Sequence, residues 1–412
     1  MNDFYEITTV PHFLYLDREI DPWLSAQVVF DAPVSGSLLQ DAVADMLRAM
    51  PFLGTVKGVS PEGDRYVLRM TSGPFPVRCG PAGDSPRDRV SGDYLLSVSY
   101  DGDTLYLDIS HALTDGYGFG VVLRYLVSRY LEYRREEPAE PAESFNRQFP
   151  YDYENPFDYI RDPGSTFEFR YPQVQIFDQE ELNPGRPRHY VLSCDESRVM
   201  KLAKNSEGSF SGVLCGALGC ALMDCKPAVD TVVVSCPMNM RGTLGCTQTL
   251  RCCSEGMIYV LTNTLRKYPF EQKLSVLKGQ LYIQRSEEYC VHWFAKKRLT
   301  AETLRSIPSI EEKQAYLRSL ISLSPYPVLT DFGVVDFGRE NEHVKSLRTF
   351  YEVSGTAGIL GVLQRFRGRC CLNISSAVRD EEWLDRFCRI LNDVGADCQR
   401  IPLVGPDGGK QG

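Results

Sequence analysis

Histidine is scarce, with five in 412 residues, and tryptophan scarcer still, with three. The histidines stand at 12, 111, 189, 292 and 343 in unlike contexts, without H-x3-H or HExxH spacing, which argues against a metal site. No apolar run approaches the roughly 18 residues that cross a bilayer, and the opening MNDFYEITTV has neither a basic n-region nor an apolar h-region. A cytoplasmic protein without a membrane span is the expectation. Basic residues are outnumbered, 45 against 54 acidic, for a net charge of −9, which argues against a general nucleic-acid binder because phosphate contacts need a clustered basic surface. Low-complexity tracts are missing, so a mainly disordered chain is excluded. Also missing are CxxC pairs, GxSxG, Walker A spacing, and the HRD and VAIK segments that would have to accompany Asp331-Phe332-Gly333 in a kinase. The glycine-rich stretch Gly116 to Gly120 lacks the spacing of a dinucleotide loop.

What is present suits a two-domain globular chain. Hydrophobic residues make up 43% and charged residues 24%, and 412 residues are too many for one ordinary core. Fourteen cysteines without ligand rhythm read as reduced, buried, small apolar residues.

The first third alternates strand and helix signals. Ala26 to Phe30 reads as a strand, and Leu39, Val43, Met46 and Leu47 share one helical face before Pro51. Asp101-Gly102-Asp103 joins two strand-like runs, Tyr94 to Tyr100 and Thr104 to Ser110, as a hairpin, and a helix follows through Val122 to Tyr130. From Arg135 the composition turns to proline, acid and aromatics without periodicity, marking a crossover over 151–188 between an N-terminal unit (1–150) and a C-terminal unit (189–412). The second unit restarts with a strand from His189 and continues with a helix from Glu196 and a buried helix over Ser211 to Met223. The strand Thr231 to Cys236 and one long helical region from Phe270 to about Leu323 follow. Strands around 348–353, 358–364 and 369–375, the last two joined at Arg367-Gly368, and a final helix over Glu381 to Leu391 end the pattern. Hairpins mixed with helices predict an α/β protein with open mixed sheets covered by helices.

The sharpest chemical feature is the HxxxDG motif His111-Ala112-Leu113-Thr114-Asp115-Gly116. A strand ends at His111, which exposes an imidazole at a sheet edge. Asp115 can turn back onto backbone or a cation, and Gly116 permits a close-packed turn before the helix. A histidine held in this way can serve as a general base.

With this motif the chain resembles the superfamily of chloramphenicol acetyltransferases, alcohol O-acetyltransferases, BAHD acyltransferases and condensation domains, and looks most like bacterial alcohol O-acetyltransferase-like proteins. Ser209 to Leu222 is similar to the helix that opens the family's C-terminal half, Val232 to Arg241 to its strand ending P-x-N-x-R, and Tyr326 to Gly333 to its D-F-G segment. Two departures stand out. Ser110 occupies the place of the second histidine of condensation domains, and Val334-Val335 breaks the plant form of the D-F-G signature.

The resemblance implies two chloramphenicol acetyltransferase-like α/β sandwich subdomains forming a pseudo-dimer with a central tunnel, in a monomeric chain. It implies His111 as the base of an acyl transfer from acyl-CoA, or another acyl-phosphopantetheine thioester, to a hydroxyl or amine of a small-molecule acceptor. No covalent acyl-enzyme, metal or tightly bound cofactor is implied. Asp115, Gly116 and Arg241 would support the site, with Arg241 the partner of Asp115. An acyl carrier protein as donor, and a non-catalytic module of the same fold that binds a carrier protein or metabolite, are the alternatives.

Overall fold

Strand and turn signals lie where the sheets form. The computed structural model describes residues 4–6, 16, 22–71, 73, 75–80, 89, 92–135, 151–160, 172, 174–183, 187–206, 208–321, 326–351 and 358–402. The first half contributes β1 (Phe4–Glu6), β2 (Trp23–Phe30), β3 (Thr55–Val59), β4 (Tyr66–Met70), β5 (Arg78–Cys79), β6 (Leu96–Asp101) and β7 (Thr104–Ser110). The second contributes β8 (Arg188–Asp195), β9 (Thr231–Asn239), β10 (Ser254–Thr262), β11 (Val328–Val334), β12 (Val344–Tyr351), β13 (Ile359–Phe366), β14 (Arg369–Ser376) and β15 (Gln399–Ile401).

Three sheets result, ordered β1-β4-β3, β12-β2-β7-β6-β5 and β10-β9-β11-β13-β14-β8-β15. The hairpin at Gly102, with φ +55, pairs Asp101 with Thr104. The second hairpin turns through Arg367 and Gly368, both at positive φ, as a two-residue loop matched to strand twist requires. In the five-stranded sheet Leu24, Ala26, Val28 and Phe30 join a core with Leu105, Leu107 and Ile109 and with the helices Gly36–Ala49 and Gly116–Arg135. In the seven-stranded sheet Leu192, Val232, Val234, Leu363, Leu372 and Ile374 pack on the helices Phe210–Cys225 and Glu382–Asp393.

The helix Phe210–Cys225 is buried nearly all round, which explains its small residues. A Cβ at Gly219 would stand 2.5 Å from Leu261, and one at Gly216 would stand 2.9 Å from Leu277. No single helix among the described residues is long and apolar enough to cross a membrane. All fourteen cysteines are free thiols, and ten of them are buried.

The structure adds to the sequence expectation in three places. The long helical region from Phe270 to about Leu323 is made of three helices, Phe270–Gln284, Glu287–Ser306 and Ile310–Ile321. Ser286 caps the second by accepting from the Tyr289 N–H, and Ser309 accepts from Glu312 at the start of the third, after Pro308. Strands β1, β3, β4, β5, β10, β11 and β15 have no counterpart among the strands of the sequence reading. The first three are short or carry Lys57, Gly58 and Arg69, and β10 runs apolar from Met257 to Leu261 without alternation.

The third difference bears on the site. Val344–Tyr351 lies in the second half of the chain, yet it pairs antiparallel with β2 in the first half's sheet. Gln364 on β13 fastens it from the other side, accepting from Thr349 Oγ1 at 2.6 Å and donating to the Leu347 carbonyl at 2.5 Å. Residues 161–171, 173 and 184–186 of the crossover, and the terminal GPDGGKQG, lie outside the described residues.

Expressed separately, residues 1–150 and 185–412 are expected to be poorly soluble. Without β12 the edge of β2 is bare, and β12 itself has no sheet to join. Two soluble fragments, each melting cooperatively, would count against this dependence.

Candidate active site

The end of β7 carries the HxxxDG motif into a tight turn. The His111 N–H donates to the Pro22 carbonyl at 2.9 Å and the Leu113 N–H to Ser110 at 2.9 Å, so the backbone leaves the sheet at His111. The helix Gly116–Arg135 begins five residues later. Asp115 caps it: its Oδ1 accepts from the Gly118 N–H at 3.1 Å, two residues into the first turn beyond Gly116. Thr114 Oγ1 donates to the Leu250 carbonyl at 2.7 Å, tying the turn to the second half of the chain.

Asp115 and Arg241 meet across 126 residues. Arg241 Nη1 donates to Oδ2 at 2.9 Å and Nη2 to Oδ1 at 3.0 Å, the bidentate geometry that a planar guanidinium gives a carboxylate. The other donors of Arg241 are used as well. Nε bonds the Thr249 carbonyl at 2.7 Å, Nη2 the Arg251 carbonyl at 2.7 Å, and Nη1 the Asn239 Oδ1 at 3.1 Å. Asn239 Oδ1 also accepts the Arg241 N–H at 3.1 Å, so the P-x-N-x-R spacing serves to aim the arginine. The Cys253 N–H completes the carboxylate at 2.9 Å.

Both charges are buried, with Asp115 and Arg241 each 2% exposed. Burial pushes the Asp115 carboxyl up, but the Arg241 charge and the hydrogen bonds from Arg241, Cys253 and Gly118 outweigh it and hold the group below its ordinary range. The pair is therefore ionised at neutral pH. It works as a rivet between β9 and the helix that follows the motif.

Gly116 is placed by contact. A Cβ there would stand 2.6 Å from the Phe332 ring, so the D-F-G segment on β11 closes directly over the motif. Phe332 also lies 5.6 Å from Phe119, ring to ring. Asp331 bonds the Gly333 N–H at 2.8 Å, and Gly333 takes φ +77, a turn residue set by the backbone.

His111 itself is partly open to solvent and ringed by protein. Tyr351, the last residue of β12, meets its ring edge-on at 5.3 Å. Loss of hydration lowers the imidazole pKa from 6.5, outweighing the opposite pull of hydrogen bonds to the main chain of His111 and Thr114 and of the Asp115 charge. The ring is thus neutral at pH 7 and held by backbone, the state a proton acceptor needs.

No family model and no curated protein matches this chain. Solved structures do match along almost its whole length. The first condensation domain of the calcium-dependent antibiotic synthetase, in complex with substrate analogue 3a, is 15% identical over 96% of this chain and 97% of its own, with a TM-score of 0.63. TRI101 of F. sporotrichioides, complexed with Coenzyme A and T-2, is 13% identical over 95% and 97%, with a TM-score of 0.61. Polyketide synthase associated protein 5 from Mycobacterium tuberculosis is 13% identical over 93% and 96%, with a TM-score of 0.60. The chain has the condensation-domain fold. The same α/β fold is found in TRI101 and in the condensation domains, as the ordered motifs suggested.

Within the condensation-domain fold, the four residues singled out from sequence fall in one region. Asp115, Arg241 and Gly116 interlock there, and His111 stands at the start of the turn they hold. Sequence reading did not find Tyr351, because nothing near it marks a site and its place depends on the exchange of β12. Nor did it find Tyr153, which stacks on Phe52 with ring centroids 4.0 Å apart and donates to the Leu113 carbonyl of the motif at 3.0 Å. Tyr153 lies in the aromatic stretch at the start of the crossover, of which 151–160 are among the described residues, and it braces the site.

Proposed function

We propose that this condensation-fold chain is an acyltransferase in which His111 is the general base. The observation that carries the reading is an imidazole whose burial favours the neutral form, at the opening of a turn riveted by Asp115 and Arg241, in a fold shared with TRI101 complexed with Coenzyme A and T-2 and with a condensation domain in complex with a substrate analogue. In the proposed reaction, acyl thioester and acceptor meet at His111 in a tunnel between the two subdomains. His111 takes the proton of the acceptor hydroxyl or amine as that atom attacks the thioester carbonyl. The tetrahedral adduct then collapses, the C–S bond breaks, and the proton passes from His111 to the leaving thiolate. Asp115, Gly116 and Arg241 position the turn and touch no reacting atom. The proposed chain is monomeric, with residues 1–150 and 189–412 as its subdomains and acyl-CoA as co-substrate.

Release of free thiol from acetyl-CoA and longer acyl-CoA, measured against a panel of hydroxyl and amine acceptors, tests the reading. Acceptor-dependent thiol release is expected. A donor loaded on a carrier protein is the second reading, favoured by the likeness to the condensation domain. Turnover with a carrier-bound acyl thioester and none with acyl-CoA would select it, and binding without turnover for either donor would leave a non-catalytic module.

A further inference from the structure

The sulfurs of Cys246 and Cys253, both free thiols, lie 3.5 Å apart. Cys246 follows the left-handed Gly245 that ends the one-turn helix Arg241–Leu244, and Cys253 immediately precedes β10.

The segment between the two sulfurs is what seats Arg241. Its Thr249 and Arg251 carbonyls accept from Nε and Nη2 of the guanidinium, each at 2.7 Å, and its Leu250 carbonyl accepts from the Thr114 hydroxyl at 2.7 Å. At its end the Cys253 N–H donates to Asp115 at 2.9 Å. The two cysteines therefore stand at the two ends of the loop that clasps the rivet.

Two sulfurs in contact can serve a metal or each other. Structural zinc sites of this ligand type take four ligands, and among the described residues no group of three or more histidine, cysteine, aspartate or glutamate side chains could hold a metal ion. The pair is left to itself, and side-chain rotation is enough to close such a contact to a bond.

The two thiols are also unlike. The hydrogen bond from Cys253, helped by the Arg241 charge, holds the Cys246 thiol below its ordinary value against the opposing effect of burial, while the same bond and burial push Cys253 up. Cys246 is the better thiolate, and Cys253 keeps its proton. Cys246 is 3% exposed, but its chain neighbours Gly245 and Thr247 are both exposed, so it lies one residue beneath the surface. A water-sized oxidant has a short path to it.

We propose that Cys246 and Cys253 form a peroxide-sensitive dithiol that closes to a disulfide and staples the loop holding Arg241. The Cys246 thiolate attacks one oxygen of hydrogen peroxide, the O–O bond breaks, and the departing hydroxide takes up a proton as water. Sulfur is oxidised to the sulfenic acid and peroxide is reduced. The Cys253 sulfur then attacks the Cys246 sulfur. The S–S bond forms, the S–O bond breaks, and hydroxide leaves with the Cys253 proton as a second water. A dithiol reductant reverses the change. The modification is defined without reference to acyl transfer.

Hydrogen peroxide treatment of the reduced full chain, followed by peptide mass spectrometry and thermal melting, tests it. The expected product links Cys246 to Cys253, is two hydrogens lighter than the reduced pair, and melts roughly 2–5 °C higher because the bridge restricts the unfolded chain. Dithiothreitol should return both readouts to the starting values. Cys246→Ala and Cys253→Ala should each abolish the link and the rise. Cys388→Ala should keep both, since it removes only the separate sulfur contact with Cys398 at 3.8 Å. The proposal is overturned if a peroxide dose that oxidises the exposed Cys79 leaves the pair unlinked, if Cys246 joins Cys252 instead, or if the linked protein melts at or below the reduced one. Neither readout uses a substrate, so failure of thiol release from acyl-CoA would strike the acyl-transfer reading alone, and failure of the link would strike this one alone.

Discussion

His111→Ala is expected to lower single-turnover acyl transfer by about 10²–10⁴-fold, the usual contribution of a positioned proton acceptor, while leaving the melting temperature nearly unchanged. The turn that carries it is held by the Asp115 and Arg241 rivet, by Thr114 on Leu250 and by Tyr153 on Leu113, none of which uses the imidazole. What is lost is chemistry. The pH profile supplies a second reading of the same residue. Because burial lowers the folded pKa from 6.5, His111 stays neutral below that value, and the acid limb of kcat/KM is expected to fall below pH 6.5 and to vanish from the residual rate of the alanine variant. The stability linkage has the matching sign. The unfolded chain binds the proton more readily, so the contribution of His111 is fully present above pH 6.5 and is lost as pH falls through the lower folded pKa. Near-parental transfer by His111→Ala would remove the general-base role, whatever the motif.

Asp115→Ala should act on the fold first. It strips Arg241 of its counter-ion at a site 2% exposed and leaves the N–H groups of Gly118 and Cys253 without an acceptor. Breaking one side of such a pair costs about 3–5 kcal/mol, a drop in melting temperature on the order of 10 °C, with transfer falling because the turn loosens. Arg241→Lys should fail almost as badly as Arg241→Ala, since one ammonium cannot replace a fork that bonds Asp115 twice, Asn239 and two carbonyls. The comparison is melting temperature beside single-turnover rate. If Asp115→Ala melts like the parent, the rivet is not what holds the turn.

Both predictions concern residues that local sequence marks clearly. HxxxDG was legible because its parts act within one turn: a strand end, a cap acceptor and a glycine, each with its own short-range reason. The P-x-N-x-R spacing was legible for the same reason, since Asn239 aims Arg241 from two residues away. The β6–β7 and β13–β14 hairpins announced themselves through turn residues, Gly102 in the first and Arg367-Gly368 in the second, both stretches at positive φ.

Other features came only with the tertiary structure. The joining of β12 to β2 is decided by which sheet edge is free and by Gln364 reaching across, over more than three hundred residues, and a strand's own alternation is the same whichever sheet it enters. Tyr351 beside His111 follows from that exchange. Gly116 could be read as a turn residue from the chain alone, but the close approach of Phe332 that excludes a side chain there exists only once β11 is seated. Local sequence determined the strand ends, turns and caps of this protein, because those are settled by a few neighbouring residues. Packing between distant strands decided what faces the imidazole, because side-chain surroundings belong to neighbours in space.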